Sequence, residues 1–407
     1  MVNNMYSINE INKIIELSEL TRQKGLKYPK KRPVFFDIYN NSVPTIIGVS
    51  GLRGVGKTVI LSQILNTEKN SLYISLDSTL VSDLFELSKE LLRKYKITTL
   101  LFDEIHYYPF WQRDLKKIYD FLEIKVYFTS SVSLEILKAD FDLSRRVRII
   151  TVPVFSFREF LWFYDYTTDL LNNLAITGVL KKEEEADLRY EAFFEEYLSY
   201  PLPAQKQERS PEIIINIINK IIERDLIYSE DIAAKDIFYL KNILKFLANS
   251  PSGEISFSTI ASNLQISHFL AVKYITAFEK AYILNVIYPK GTNIKKEPKI
   301  LFSLPFRSYL SGLRHENLLG SVKEDFFAGI MKNNKIKIFY LKSKRGKKLP
   351  DFMIEAANTK YIIEIGGKSK TLAQFKGIPD KYDKIIALNP FVERDKSIPL
   401  IAFGFLD

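Results

Sequence analysis

Ile46-Ile47-Gly48-Val49, then Gly51-Leu52-Arg53-Gly54-Val55-Gly56-Lys57-Thr58, then Val59-Ile60-Leu61-Ser62-Gln63-Ile64-Leu65, is the stretch that decides the fold. The central eight residues fit G-x-x-x-x-G-K-[ST]. The apolar run before them reads as a short buried strand and the run after them as a helix. A phosphate chain needs a cradle of inward-pointing backbone N–H groups, and Gly51, Gly54 and Gly56 let the main chain approach closely enough to form one. Lys57 then reaches the β/γ-phosphates and the Thr58 hydroxyl holds Mg²⁺. The amides from Gly54 through Val55 to Thr58 and Val59 open the helix whose positive end faces the phosphates. A strand, glycine loop and helix in this order predict a nucleoside-triphosphate site in a parallel α/β sheet.

Such a site needs a carboxylate near the metal and a group that orients water. Thr98-Thr99-Leu100-Leu101-Phe102-Asp103-Glu104 supplies an apolar strand ending in two acids. Asp103 is expected to hold Mg²⁺ through its water shell, and Glu104 to polarise the attacking water. Val126-Tyr127-Phe128-Thr129-Ser130-Ser131 is a further apolar strand ending in hydroxyls. Ser130 is the candidate to sense the γ-phosphate or the water. The same hydroxyls also suit the cap of a helix expected from about Val132 to Ala139.

These residues carry a family resemblance. Leu101-Phe102-Asp103-Glu104-Ile105-His106, Trp111-Gln112-Arg113-Asp114-Leu115-Lys116 and Tyr127-Phe128-Thr129-Ser130-Ser131 resemble a widespread prokaryotic group of predicted AAA+ ATPases. Arg145-Arg146-Val147-Arg148, followed by Phe155-Ser156-Phe157-Arg158-Glu159-Phe160-Leu161, extends the likeness. The family pattern there is Gly-Arg-Val and then Pro-Leu-Ser-Phe-Arg-Glu-Phe. Arg145 stands in place of the Gly, and Val154-Phe155 in place of Pro-Leu. The resemblance makes Arg146 a candidate γ-phosphate sensor or arginine finger, favours ATP and ADP as the nucleotides, and implies a mobile helical lid after the sheet.

A chain of 407 residues with 46% hydrophobic and 26% charged residues is globular and long enough for two or three domains. The absence of Cys excludes disulfides, thiolate metal sites and cysteine nucleophiles. The first residues show no basic-then-apolar signal sequence, and no apolar run approaches the roughly 20 residues of a membrane span, so a cytoplasmic protein without a membrane partner is expected. The net charge of +10 suits a polyanionic partner, DNA foremost.

Organisation follows the motifs. Residues 1–33 read as an amphipathic helix, from about Asn9 to Lys24, and a basic linker, Lys27-Tyr28-Pro29-Lys30-Lys31-Arg32-Pro33, read as solvated, with contact to nucleotide or nucleic acid as its alternative. Residues 34–155 are expected to be the P-loop ATPase core, and 156–230 its helical lid. Residues 231–317 read as a winged helix-turn-helix. Asp236–Ala248 is its first helix, Gly253–Phe257 a short strand, Ser258–Leu264 a short helix and His268–Ala281 the recognition-type helix. The outward set on that last helix is thin: His268, Lys273 and Lys280, with Tyr274 and Thr276 as further candidates. Lys290-Gly291-Thr292-Asn293-Ile294-Lys295-Lys296 forms a basic wing tail. Winged helices bind DNA or proteins, so a protein partner stands beside DNA.

Residues 318–407 raise a third chemistry. Glu324, Leu349-Pro350-Asp351-Phe352 and Ile362-Ile363-Glu364-Ile365-Gly366-Gly367-Lys368 resemble a PD-(D/E)xK nuclease core, the small α/β domain that habitually accompanies this ATPase group. The resemblance places a divalent metal on Asp351 and Glu364, but Gly366 occupies the lysine position of E-x-K. Lys368 or Lys370 could take over that role. Without a lysine in place the domain reads as nucleic-acid-binding and cleavage-dead, with the basic run Lys342–Lys348 contacting phosphates.

The expected protein is therefore a Mg²⁺-dependent AAA+ ATPase whose nucleotide state repositions a winged-helix and nuclease-like module on DNA. Its alternatives are a nucleotide-gated interaction switch with little turnover and an ATP-regulated, metal-dependent nuclease.

Overall fold

The computed structural model describes residues 6–40, 45–133, 143–166, 176–181, 190–203, 210–229, 232–251, 255–291, 297–312, 315–341 and 349–406. It divides into two compact units, Met1–Pro153 with Lys220–Ala234, and Val154–Asn219 with Lys235–Asp407.

The first unit is built on β1 (Ile46–Ser50), β2 (Ser71–Ser75), β3 (Thr99–Asp103), β4 (Lys125–Ser130) and β5 (Val147–Thr151). All neighbours pair in parallel in the order β2-β3-β4-β1-β5. Every residue of β1 and β3 is buried, which is why both strands read as unbroken apolar runs: helices cover the two faces of a parallel sheet. Leu84, Leu87 and Leu91 of helix Leu84–Tyr95, with Leu115 and Ile118 of helix Trp111–Phe121, join Ile46, Leu100, Phe102, Val126 and Phe128 in one core.

The N-terminal helix spans Ile8–Gly25 and starts at a Ser7–Glu10 capping box. Ile11 and Ile14 enter the core of the sheet, so this helix is part of the first unit's core rather than an appendage. The basic segment after it is not simply solvated. Arg32 is buried, and donates from Nη1 to the Val55 carbonyl at 3.1 Å and from Nη2 to the Pro153 carbonyl at 3.1 Å.

The second unit holds a sheet of β8 (Lys337–Tyr340), β9 (Phe352–Ala356), β10 (Thr359–Gly366), β11 (Asp383–Leu388) and β12 (Ser397–Pro399). β8-β9-β10 run antiparallel and β10-β11-β12 parallel. Helices Ile237–Ala248, Phe257–Leu264 and His268–Lys280 precede an antiparallel hairpin of β6 (Leu284–Ile287) and β7 (Lys299–Phe302). The strand expected at Gly253–Phe257 does not form over its described part. Ser256 instead caps a helix that begins at Phe257, accepting from the Thr259 amide at 3.0 Å. Tyr274, a candidate outward residue, is fully buried, because it falls on the core stripe with Ala271, Ile275 and Phe278.

The segment 156–230, expected as one lid, is divided. Phe157, Phe160, Phe194 and Tyr197 share a core with Ile287, Leu301, Phe326, Phe327 and Phe403, whereas Lys220–Ala234 belongs to the first unit. Hairpin and C-terminal sheet share that same core, so no boundary at residue 317 separates two hydrophobic cores. The wing-tail residues 292–296, the basic run 342–348 and most of the helix expected at 132–139 lie outside the described residues. No described helix is long and apolar enough to cross a membrane.

Candidate nucleotide site

In open parallel sheets, ligands bind beyond the carboxyl ends of the strands. Here β1, β3 and β4 deliver Gly51–Thr58, Asp103–Glu104 and Thr129–Ser131 to the same edge. The loop needs its glycines for separate reasons. Gly51 passes so close to the residue that follows β5 that a Cβ would run into the Val152 carbonyl oxygen. Gly54 and Gly56 sit at φ 92° and 96°, which side chains disfavour. Helix Lys57–Thr67 then starts with Gly56 as N-cap and no side chain closing its end, leaving first-turn amides to an anion.

Lys57 is 4% exposed, and its ammonium donates to the Gly51 and Leu52 carbonyls at 2.9 and 3.2 Å and to Ser131 Oγ at 3.0 Å. Burial pulls its pKa down, while the carboxylates of Glu104, Asp103 and Asp225 work against that. Ser131 Oγ passes the contact on to Glu104, lying 2.7 and 3.0 Å from its two carboxylate oxygens. Glu104 stands at φ 52°, ψ 54°, an uncommon backbone state for a residue with a Cβ and one that clusters at functional positions.

Asp103 is buried and accepts from Thr58 Oγ1 at 2.8 Å, from the Tyr73 hydroxyl at 2.7 Å and from Thr129 Oγ1. Burial, and then the neighbouring Glu104 charge, raise its pKa above the usual carboxylate range. A carboxylate charged only at a cost, with a threonine hydroxyl 2.8 Å away, is a donor set that a hard divalent cation fits: the cation offsets the desolvation. Thr58 and Asp103 are thus the pair that would hold Mg²⁺.

Among the remaining candidates, Ser130 is buried on this edge, but its hydroxyl is engaged with the Val132 carbonyl at 2.8 Å and lies 3.3 Å from His106 Nδ1. Its neighbour Ser131 is the hydroxyl that meets both Lys57 and Glu104. Val55 is buried and Val59 lies in the first turn of the helix. Arg146 lies elsewhere. It precedes β5, whose first residue is level with Ile46, so it sits at the opposite end of the sheet, about five residues or ~16 Å of strand from the loop. There its Nε donates to Asp120 Oδ1 at 2.9 Å. Within one chain it does not join the phosphate site.

Four further residues shape the site without a signature in the sequence. Arg53 Nη1 binds both oxygens of Asp225, at 2.9 and 3.0 Å, and Tyr107 OH donates to the same carboxylate at 2.6 Å. Arg32 holds the loop carbonyl of Val55. An Arg32→Ala variant is expected to bind nucleotide about tenfold more weakly, since a buried charged donor lost here frees the loop, an effect of about 1.4 kcal/mol or more. Calorimetric titration with an ATP analogue checks this; an unchanged affinity would show that the loop is rigid without Arg32.

In the second unit, Glu364 lies on β10 and Asp351 immediately precedes the neighbouring strand β9. Asp351 Oδ2 accepts from the Ile365 amide at 2.8 Å, and Glu364 is ion-paired with Lys370. Lys370 fills the space that Gly366 leaves, since a Cβ at Gly366 would lie 2.6 Å from Lys370 Cε. Lys299 pairs with Glu324 at 2.5 Å and stands 4.0 Å from Asp351. Ammonium groups therefore meet these carboxylates, and among the described residues no group of three or more metal-ligating side chains assembles.

Comparison with known proteins adds the following. Residues 43–161 match a family profile described as a AAA domain, and residues 192–303 match a domain of unknown function. An uncharacterized protein of Methanocaldococcus jannaschii is 26% identical over 418 aligned residues, covering 91% of this chain and 86% of that protein. A Thermotoga maritima RuvB mutant aligns at 15% identity over 72% of this chain and 92% of its own, with a TM-score of 0.30. Caenorhabditis elegans PCH-2 aligns at 17% identity over 67% of this chain and 69% of its own, with a TM-score of 0.24. Structural likeness at that level carries no argument; the profile match does, and it spans the same strands and loop that build the phosphate site. This chain carries a AAA-type P-loop ATPase domain, a nucleotide-binding module.

Proposed function

We propose that the first unit binds ATP with Mg²⁺ and hydrolyses it. The observation that carries this reading is the contact chain Lys57–Ser131–Glu104 beside Thr58–Asp103, all at one sheet edge. Loop amides and the Lys57 ammonium hold the phosphates and stabilise charge as it develops on the leaving group. Glu104 orients water and accepts its proton; Asp103 and Thr58 hold the metal. Mg²⁺, when bound, neutralises phosphate charge.

The second unit is the output in this reading. Three helices followed by an antiparallel hairpin support a winged helix, and the charge of +10 supports DNA as its partner. Phe269, 74% exposed on helix His268–Lys280, favours the competing reading of a nucleotide-gated protein-interaction module, since a DNA-reading helix presents polar side chains there. The C-terminal sheet, with Lys370 on Glu364, supports a nuclease-like fold; cleavage of DNA with Mg²⁺ or Mn²⁺ that stops in Asp351→Ala would establish activity.

One assay tests the main reading: phosphate release with and without duplex DNA across a salt series. Mg²⁺-dependent turnover is expected, with DNA affinity falling as salt rises in proportion to the phosphates contacted. Nucleotide binding without turnover under every condition would favour the switch. Salt-independent or absent DNA binding would remove DNA as the partner.

A further inference from the structure

Asp225 lies outside every nucleotide motif, yet it is fully buried and engaged from three sides by residues of the site. Arg53 Nη1 of the phosphate loop binds both of its oxygens at 2.9 and 3.0 Å, and the Tyr107 hydroxyl donates at 2.6 Å. His106 Nε2 lies 3.8 Å away, while Nδ1 of the same ring lies 3.5 Å from Glu104. Arg53 Nη1 is also 4.0 Å from Glu104 Oε1, so one guanidinium stands between two carboxylates. Asp225 closes the π-helical turn Ile221–Asp225, a local widening that is uncommon and concentrates at functional positions. Burial alone would raise its pKa, but His106, Arg53 and Tyr107 outweigh that and keep it charged.

We propose that Asp225 is a positioning residue that holds Arg53 away from Glu104 and so keeps that carboxylate free to orient water. The inference rests on the ATPase reading. A guanidinium tethered within 4.0 Å of Glu104 pairs with whichever carboxylate competes best. Two-oxygen contact with Asp225, reinforced by Tyr107, wins that competition here. Without the Asp225 charge, Glu104 becomes the nearest anion, and an Arg53–Glu104 pair makes it a poorer base. The stretch Lys220–Ala234 that carries Asp225 continues at both ends into the chain of the second unit.

Four full-length proteins test this: wild type, Asp225→Asn, Arg53→Gln and the double variant. In each, kcat and KM are measured alongside affinity for a non-hydrolysable ATP analogue and the thermal midpoint. Asp225→Asn is expected to lower kcat about tenfold or more with analogue affinity within about threefold, and the double variant to return to within about threefold of Arg53→Gln alone. An unchanged kcat in Asp225→Asn, a loss that persists in the double variant, or an affinity that falls along with kcat would each overturn the proposal; the last marks a purely structural ion pair. If Asp225→Asn does not fold, Tyr107→Phe weakens the same clamp by one hydrogen bond. It should then show a smaller kcat loss, again relieved by Arg53→Gln; no loss counts against the idea. A wild-type protein that binds no nucleotide defeats the ATPase reading, a separate outcome.

Discussion

A Glu104→Gln variant is expected to retain ATP binding to within about threefold while its turnover falls by about two to three orders of magnitude, the range for losing a positioned general base. The two effects separate because Glu104 makes no contact with the loop amides; its partners are Ser131 and, at longer range, His106 and Arg53. Gln keeps the shape and can still accept from the Ser131 hydroxyl, but an amide oxygen cannot take the proton of the attacking water. Lys57→Ala has the opposite signature, a collapse of affinity, because the Lys57 ammonium already belongs to the loop itself. Phosphate release and calorimetric titration on the same preparations read both quantities. Turnover in Glu104→Gln within fivefold of wild type would mean that another group orients the water.

Asp325→Ala is expected to destabilise the second unit by about 3–5 kcal/mol, the range for breaking a buried ion pair from one side. Asp325 is 1% exposed and lies 2.5 Å from Arg307 Nε, with Nη2 at 3.0 Å, while its Oδ1 also accepts from the Phe302 amide at 2.8 Å. Arg307, 2% exposed, reaches on to the Leu247 and Ser250 carbonyls at 3.2 and 3.3 Å. One carboxylate thus ties helix His315–Asn333 to strand β7 and, through Arg307, to the end of helix Ile237–Ala248. Removing it leaves a buried guanidinium with carbonyl partners only, and an orphaned amide on β7. Urea unfolding followed by circular dichroism reports the loss. A shift below about 1 kcal/mol would show that the two carbonyls and local water suffice for Arg307.

The phosphate site was legible because its information is local. Gly51, Gly54, Gly56, Lys57 and Thr58 lie within eight residues, and their spacing is itself the geometry of the loop. Asp103 and Glu104 were legible for a related reason: a strand buried on both faces announces itself as an apolar run, and its end is where the polar residues resume. Ser131, and not Ser130, meets Lys57 and Glu104, a one-residue distinction set by which way each hydroxyl faces at the end of β4. Arg146 matched a family pattern, yet the parallel register of β5 with β1 puts it at the far end of the sheet.

Other misreadings share one cause. Phe157, Phe160 and Tyr197 are spaced to be buried, but amphipathic spacing does not say against what, and their partners include Phe326 and Phe403 more than a hundred residues on. Arg32 reads as part of a basic linker because an arginine's burial depends on carbonyls brought to it by other segments. Asp225 sits in a helical stretch with nothing around it to mark it.

By itself, the order of residues determined the strand–loop–helix cradle, the acid pair at the strand end beside it and the alternation that makes a parallel sheet, since each depends on neighbours a few bonds apart. Only the tertiary structure decided that Arg32 touches the loop, which serine meets the Glu104 carboxylate, where the helical segment divides and which lysine fills the gap at Gly366. Those outcomes depend on groups separated by tens to hundreds of residues, and the competition of charges for a few buried partners is settled only when the chain has closed around them.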